Sequence, residues 1–169
     1  MRYKFCPQCG AELTEKEIGD EGLVPFCPEC NRPWFDTFST CIICLVVSDE
    51  DGECVLMKEA NISKIYHNLV SGFMKPGENA EETAIREVKE ETGLDLEYIE
   101  SAGTYWYGKK DMLMIGFFGH AKKAELVLSS EIDTAKWVPF EEALTLVAPK
   151  GAISYALIEK YIEKSKNEK

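Results

Sequence analysis

The stretch over residues 72–94, GFMKPGENAEETAIREVKEETGL, constrains this chain most, because it concentrates carboxylates in one short segment. Its composition predicts a helix over about residues 80–92. Glu87, Glu90 and Glu91 are three and four positions apart, so a helix turns their carboxylates toward one face. Like charges at this spacing destabilise a helix by roughly 0.2–0.5 kcal/mol per pair. The segment is therefore either a solvated helix face or a cation site, and converging hard oxygen ligands favour Mg²⁺ or Mn²⁺.

The same segment follows a longer pattern, which reads Gly72-x5-Glu78-x7-Arg86-Glu87-Val88-x-Glu90-Glu91-x-Gly93-Leu94. With these nine positions in place, the chain resembles the Nudix hydrolases. The resemblance implies an α/β/α sandwich around a mixed sheet, and hydrolysis of nucleoside diphosphates linked to another moiety. It implies that Glu87, Glu90 and Glu91 are catalytic metal ligands, and that Glu90 or Glu91 also activates water. Four residues are implied as structural supports of the loop and the carboxylates: Gly72, Glu78, Arg86 and Gly93.

A second constraint is a set of four cysteines, which form two Cys-x2-Cys pairs separated by 17 residues: Cys6, Cys9, Cys27 and Cys30. This spacing is typical of a four-thiolate zinc site. A closed shell of four soft ligands favours structural Zn²⁺. Because so short a segment buries too little apolar surface to fold alone, the metal is expected to replace a core. We therefore predict a small zinc ribbon over residues 1–38, followed by a Nudix hydrolase domain over residues 39–169.

The remaining cysteines and the two histidines belong to no ligand pattern. Cys41 and Cys44 lie in the apolar run TCIICLVV, which predicts a strand. Since positions i and i+3 of a strand face opposite sides, these two thiols are not expected to share an ion. We predict buried free thiols for both, place Cys54 in the next strand, and expect core or surface roles for His67 and His120.

The charge of the chain bears on its partners. The 169 residues carry a formal net charge of −11, and residues 1–38 contain four basic and seven acidic side chains, 4 − 7 = −3. A surface that binds a phosphate backbone needs the opposite sign, so nucleic acid is not an expected partner. A phosphate-bearing small molecule would need a metal ion to approach so acidic a protein.

Over about residues 5–162, the chain resembles the NADH pyrophosphatase subgroup of the Nudix hydrolases in the order of its parts: the ribbon, the apolar strand, the LVSGFMKPGE loop and the nine-position pattern. This resemblance implies hydrolysis of the diphosphate of NAD(H) or a related conjugate, giving AMP plus the mononucleotide or phosphorylated product, and a homodimer. It implies two further metal contacts, the backbone carbonyl of Ser71 and the carboxylate of Glu131. Substrate contacts are implied for five residues: Phe35, Tyr105, Trp106, Tyr107 and Ser154.

Several alternatives stay open at this point. The subgroup's Ser-Gln-Pro-Trp-Pro-Phe-Pro-x-Ser stretch reads SAGTYWYGKKD here, so a hydrolase specific for ADP-ribose or another nucleoside diphosphate is an alternative. A nucleotide sensor with the Nudix fold is a second alternative, although the presence of every glutamate of the nine-position pattern favours an enzyme. Phe35 has an alternative role in an apolar seam between ribbon and core, and Glu131 has one as an ordinary exposed glutamate.

The sequence contains no membrane or export signal that we recognise. The start, MRYKFCPQC, lacks the apolar segment of a secretory signal. The longest apolar run, CIICLVV over residues 41–47, is shorter than the roughly 20 residues of a membrane helix. We expect a cytoplasmic protein that has no membrane partner.

Overall fold

The chain folds into two compact units, Met1–Phe38 and Ser39–Lys169. The computed structural model describes residues 3–59 and 65–167. The first unit holds a three-stranded antiparallel sheet of β1 (Thr14–Glu17), β2 (Leu23–Cys27) and β3 (Arg32–Pro33), with a short 3₁₀ turn between β1 and β2. Its small core contains Cys6, Leu13 and Cys27.

The second unit is built on a six-stranded mixed sheet. The spatial order is β7-β8-β4-β5-β9, and β6 pairs with the first part of β4. The pairing of β4 with β8 is parallel, whereas all other pairings in this sheet are antiparallel. The strands are β4 (Ser39–Ser48), β5 (Glu53–Glu59), β6 (Val70–Phe73), β7 (Tyr98–Tyr107), β8 (Met112–His120) and β9 (Ile132–Pro139).

The central strand β4 is apolar on both faces because helices cover both faces of the sheet. Its odd-numbered residues from Cys41 to Val47 belong to a core with α2 (Phe140–Leu146) and α3 (Ile153–Asn167). Its even-numbered residues from Ile42 to Val46 belong to a second core, with Ala84 and Val88 of α1 (Ala80–Thr92). The expected α/β/α sandwich with a mixed sheet is confirmed.

The two faces of the sheet also decide where the thiols of Cys41 and Cys44 lie. Cys41 packs on the α2–α3 face, and Cys44 packs on the α1 face. Both are free and buried, and so is Cys54. The prediction that Cys41 and Cys44 are buried thiols on opposite sides of a strand is confirmed.

The predicted helix over residues 80–92 is confirmed, because α1 spans Ala80–Thr92. Its first turn is closed by a capping box: the Asn79 side chain accepts from the Glu82 backbone N–H at 2.8 Å, and the Glu82 side chain accepts from the Asn79 N–H at 3.0 Å. Its last turn ends at Gly93, which adopts the left-handed conformation (φ 74°). Such caps satisfy backbone groups that a helix end otherwise leaves unpaired.

His120 lies in the core with polar partners that the sequence pattern did not reveal. Its Nδ1 lies 2.7 Å from Asp49 Oδ2, and its Nε2 lies 3.1 Å from Glu100 Oε1. The second approach is an ion-pair distance without hydrogen-bond alignment. Tyr161 donates to Asp49, and Lys164 donates to Glu100, so this polar cluster joins α3 to the sheet. No helix in the described part of the chain is long and apolar enough to cross a bilayer.

Candidate metal and nucleotide site

The site is built where β6 passes beneath α1. A Cβ atom on Gly72 would lie 2.0 Å from both Cδ and Oε1 of Glu87. Two atoms cannot approach so closely, since favourable contacts lie at about 3.5–4.0 Å. The Glu87 carboxylate therefore rests against the β6 backbone at a place that only glycine leaves open.

Arg86 holds the glutamates of this segment in place. It donates from Nε and Nη2 to the two carboxylate oxygens of Glu78, at 2.7 and 2.9 Å. Its Nη1 donates to Glu87 Oε1 at 2.7 Å and to Glu90 Oε2 at 2.9 Å. Nη2 also donates to the backbone carbonyl of Phe73 at 3.2 Å. One guanidinium thus links α1 to β6 and to the loop that precedes the helix.

These contacts set the electrostatics of Glu78. The Arg86 hydrogen bonds lower the pKa of Glu78 to about 2, and hydrogen bonds from the Lys75 backbone and the Thr83 hydroxyl act in the same direction. The pKa of Arg86 is raised in turn, first by Glu78. Both carboxylate oxygens of Glu78 are therefore already hydrogen-bonded by neighbouring residues.

Glu91 has a different environment. The residue is 7% exposed, and its Oε2 atom is buried without a hydrogen-bond partner in the described part of the chain. Burial raises the pKa of Glu91 to about 8, and the carboxylates of Glu59 and Glu87 add to this, while a hydrogen bond from the Ser71 backbone opposes it. A buried carboxylate oxygen without a partner is costly, and a bound cation would satisfy it.

Glu59 is a residue that the sequence reasoning missed. It ends β5, and its Oε1 atom is buried without a hydrogen-bond partner among the described residues. Burial raises the pKa of Glu59, and the carboxylates of Glu131 and Glu87 raise it further. Its only signal in the sequence is an acidic residue at the end of the apolar strand CVLMKE.

The carboxylates do not form a closed ligand shell. Among the described residues, the four cysteines are the only group of three or more candidate ligands whose atoms all lie within 4.8 Å of one another. Glu87 and Glu90 are drawn to Arg86, whereas Glu91 is influenced most by Glu59 among the charged residues. Hard carboxylate oxygens, one of them buried and unpartnered, nevertheless fit a divalent cation such as Mg²⁺ or Mn²⁺.

The cysteine group fits structural zinc. Cys6 Sγ lies 3.9 Å from Cys30 Sγ, and Cys9 Sγ lies 3.5 Å from Cys27 Sγ. With Zn–S bonds of about 2.3 Å, a tetrahedral site has sulfur–sulfur edges of about 3.8 Å. The backbone N–H of Cys30 also donates to Cys27 Sγ at 3.3 Å, a contact that orients the second pair. The four sulfurs therefore already have the spacing that zinc requires.

Within the second unit, the structure does not place the predicted contacts Tyr105, Trp106 and Tyr107 on one surface. Tyr105 and Tyr107 pack against the core on the α2–α3 face. Trp106 points to the opposite face, where it pairs across the ladder with Leu113, and is 55% exposed. The three aromatic residues alternate across an edge strand, so they do not form a single patch. Ser154 lies in the first turn of α3, and Phe35 is an exposed residue of the first unit.

The comparisons with known proteins identify the family. A family model described as the NUDIX domain matches residues 39–161. The chain belongs to the NUDIX family. The resemblance to the Nudix hydrolases, which rests on the nine-position pattern, is confirmed, and so is the fold that it implied.

Relatives of this Nudix chain match more of it than the family model does. The NAD-capped RNA hydrolase NudC of Vibrio vulnificus is 31% identical over 92% of this chain and 58% of that protein. The mitochondrial NAD(P)H pyrophosphatase NUDT13 of Mus musculus is 28% identical over 95% of this chain and 51% of that protein. The chain thus spans a little over half the length of these two relatives.

A solved structure supports the same fold. The crystal structure of a NUDIX hydrolase from Nitrosomonas europaea matches with a TM-score of 0.72 and 20% identity, over 98% of this chain and 93% of that chain. At this level of identity, the likeness concerns the fold alone.

Proposed function

We propose that this Nudix chain hydrolyses the diphosphate linkage of NAD(H) or of a related nucleoside diphosphate conjugate, giving AMP plus the mononucleotide or phosphorylated product. The observation that carries the proposal is the buried Oε2 atom of Glu91, which has no hydrogen-bond partner among the described residues, beside glutamates that Arg86 holds in place. The names of the two relatives support this substrate class, because they refer to NAD and to NAD(P)H. ADP-ribose and other nucleoside diphosphates are the alternative substrates.

The proposed ligands of the divalent metal are the carboxylates of Glu87, Glu90, Glu91 and Glu131, with the backbone carbonyl of Ser71. When bound, Mg²⁺ or Mn²⁺ would supply the positive charge that activates a water molecule and neutralises the diphosphate. Glu90 is 52% exposed on its side chain, so its carboxylate is accessible to solvent. Glu90 or Glu91 accepts the proton of the attacking water in this proposal.

Arg86 and Glu78 would act as positioning residues. The two-point contact between them fixes the guanidinium, which then restrains the carboxylates of Glu87 and Glu90. Such preorganisation matters because a misplacement of about 1 Å can reduce turnover by roughly 10²-fold. Gly72 and Gly93 would support the same arrangement, one by leaving room for Glu87 and the other by ending α1.

Trp106 is the proposed base-binding residue of the β7 stretch. It is exposed on the sheet face that α1 covers, whereas Tyr105 and Tyr107 contribute to the opposite core. Stacking of a base on an aromatic side chain contributes about 1–3 kcal/mol and discriminates poorly among bases. Phe35 and Ser154 stay proposed substrate contacts on the strength of the sequence resemblance.

The decisive experiment is hydrolysis in ¹⁸O-labelled water with NADH, NAD⁺ and ADP-ribose, in the presence of Mg²⁺ or Mn²⁺. Attack at phosphorus places the label in a product phosphate and yields AMP from all three substrates. Glu90→Gln should reduce kcat by about 10²-fold or more while the protein stays folded. Glu141→Gln, an exposed change on α2, is the matched control and should leave kcat unchanged. Label in a ribose hydroxyl, release of free nicotinamide, or full activity of Glu90→Gln would contradict the proposal.

Three further expectations belong to the same proposal. Residues 1–38 form a zinc ribbon and residues 39–169 form the hydrolase domain, which metal analysis and limited proteolysis can test. A homodimer is expected, and light scattering of the purified chain measures it. A cytoplasmic location is expected as well, and fractionation of cells tests it.

A further inference from the structure

Thr83 carries a fully buried hydroxyl group near the start of α1. Its Oγ1 lies 3.0 Å from Glu78 Oε2 and 2.9 Å from the backbone carbonyl oxygen of Asn79. A threonine hydroxyl has a single proton to donate, so one of these two acceptors receives it. The role of Thr83 depends on which acceptor that is.

The Asn79 carbonyl is the ordinary acceptor, because helical threonines often donate to the carbonyl four positions earlier. That contact would be local to the helix. However, the same carbonyl already accepts the backbone N–H of Thr83 at 3.1 Å. The Glu78 carboxylate is charged, and a hydrogen bond to an ionised acceptor is about twice as strong as one between neutral groups. The geometry and the charge therefore favour donation to Glu78.

The Glu78 Oε2 atom receives three donors from two parts of the chain. They are Thr83 Oγ1 at 3.0 Å, Arg86 Nη2 at 2.9 Å and the backbone N–H of Lys75 at 3.1 Å. Thr83 is a β-branched residue on a helix, so its side chain has few accessible rotamers. Its hydroxyl thus fixes the position of the carboxylate from a rigid, buried point.

Arg86 transmits the position of Glu78 to two other carboxylates. Its Nε donates to Glu78 Oε1 at 2.7 Å, while its Nη1 donates to Glu87 Oε1 at 2.7 Å and to Glu90 Oε2 at 2.9 Å. A guanidinium is a rigid planar fork, so a shift of Glu78 on one side changes the contacts on the other. The four side chains form one connected chain of hydrogen bonds that begins at Thr83.

We propose that Thr83 is a positioning residue, whose hydroxyl holds Glu78 and, through Arg86, the carboxylates of Glu87 and Glu90. The inference rests on the proposed function, because Glu87 and Glu90 are its proposed metal ligands. Thr83 itself occupies one of the seven variable positions between Glu78 and Arg86 in the nine-position pattern. The pattern therefore does not include this hydroxyl.

The first test measures hydrolysis of NADH by the full chain with its zinc retained. Thr83→Val removes the hydroxyl and keeps the branched shape. Its kcat should fall by about tenfold with KM nearly unchanged, less than the roughly 10²-fold that a 1 Å misplacement can cost. Thr83→Ser keeps the hydroxyl and should restore most of the lost kcat.

Thr92→Val is the matched control. Thr92 is also fully buried on α1, but its hydroxyl donates to the Val88 backbone carbonyl at 2.6 Å rather than to a carboxylate. A merely structural role predicts that both valine variants lower the unfolding temperature and keep kcat. The positioning role predicts that both lower the unfolding temperature and that Thr83→Val alone loses kcat.

A second measurement does not depend on hydrolysis. Nuclear magnetic resonance can follow the exchange of the Arg86 Nε proton with solvent, which requires its bond to Glu78 to open. Thr83→Val should accelerate this exchange by roughly threefold or more, because Glu78 is less restrained. Thr92→Val should exchange as the wild type does.

The outcomes separate this inference from the proposed function. If Thr83→Val exchanges as slowly as the wild type, or loses no more kcat than Thr92→Val, the inference is wrong. If the wild type cleaves no diphosphate but Thr83→Val still accelerates the exchange, the proposed function is wrong and the hold on Glu78 and Arg86 stands. Should Thr83→Val fail to fold, Thr83→Ala takes its place, and an unchanged exchange rate there overturns the inference.

Discussion

Replacing Gly72 with alanine should separate the stability of this protein from its activity. The new Cβ would lie 2.0 Å from Glu87 Cδ and Oε1, and 2.5 Å from Cγ. All three atoms belong to the flexible end of a side chain, so the glutamate can move aside while the backbone stays in place. We therefore expect Gly72→Ala to fold and to lose most of its turnover.

The magnitude follows from the contacts that Glu87 would lose. To restore ordinary contact distances of about 3.5 Å, its carboxylate must move by roughly 1.5 Å. That movement breaks the 2.7 Å hydrogen bond from Arg86 Nη1, and a net loss of about 1.5–3 kcal/mol is typical for a charged hydrogen bond. Alanine recovers about 0.4–1 kcal/mol by restricting the unfolded chain. The free energy of unfolding should fall by about 1–2 kcal/mol, whereas kcat should fall by about 10²-fold because a proposed metal ligand is displaced.

The assay pairs thermal unfolding with steady-state hydrolysis of NADH, and it needs two controls. Gly108→Ala places a Cβ no closer than 3.6 Å to its neighbours, so it reports the effect of a glycine-to-alanine change without a clash. In a Glu87→Ala background, Gly72→Ala should cost no further stability, since the clashing atoms are gone. Gly72→Ala with kcat within about threefold of the wild type would refute the reasoning, because the Glu87 carboxylate would then be either unmoved or unimportant.

Three other perturbations have definite expected outcomes. Removing zinc, or replacing Cys27 with serine, should unfold the first unit, and metal analysis of the untreated protein should find one zinc per chain. Trp106→Ala should raise KM and leave the unfolding temperature nearly unchanged, whereas Tyr105→Ala should lower the unfolding temperature because it removes a ring from the core. Asp49→Asn should lower the unfolding temperature by about 2–4 °C at pH 7, as expected for a loss of about 1 kcal/mol. Hydrogen bonds from Tyr161 and His120 hold the pKa of Asp49 below its usual value, so this stabilisation is present above the unfolded-state pKa and should vanish as the pH falls through the folded-state pKa.

Local spacing made several features of this protein predictable. The helix over Ala80–Thr92 could be predicted because its cap, its period and its terminal glycine all lie within fifteen residues. The opposite orientations of Cys41 and Cys44 follow from the two-residue period of any strand. The alternation of Tyr105 and Trp106 was open to the same argument, but the assignment of substrate contacts to every aromatic residue of the run overlooked it.

Other features depended on contacts between distant parts of the chain. His120 lies 71 residues from Asp49 in sequence, and only the order of the strands brings the two side chains within 2.7 Å. Glu59 has a buried carboxylate oxygen because β5 pairs with β9 and α1 covers that face of the sheet. No spacing rule links Glu59 to Glu91, which lies on α1, 32 positions later in the chain.

The sequence by itself determined the chemistry that this protein can carry: four thiolates at zinc spacing, and glutamates placed by a helical period on one face. Covalent geometry and the period of 3.6 residues per turn are sufficient for that, because both act over a few residues. The tertiary structure decided which carboxylates are held by Arg86, and which carboxylate oxygens, such as Glu91 Oε2, are buried without a hydrogen-bond partner among the described residues. Those distinctions arise from burial and from long-range pairing, and both exist only once the sheet has formed and α1 has packed upon it.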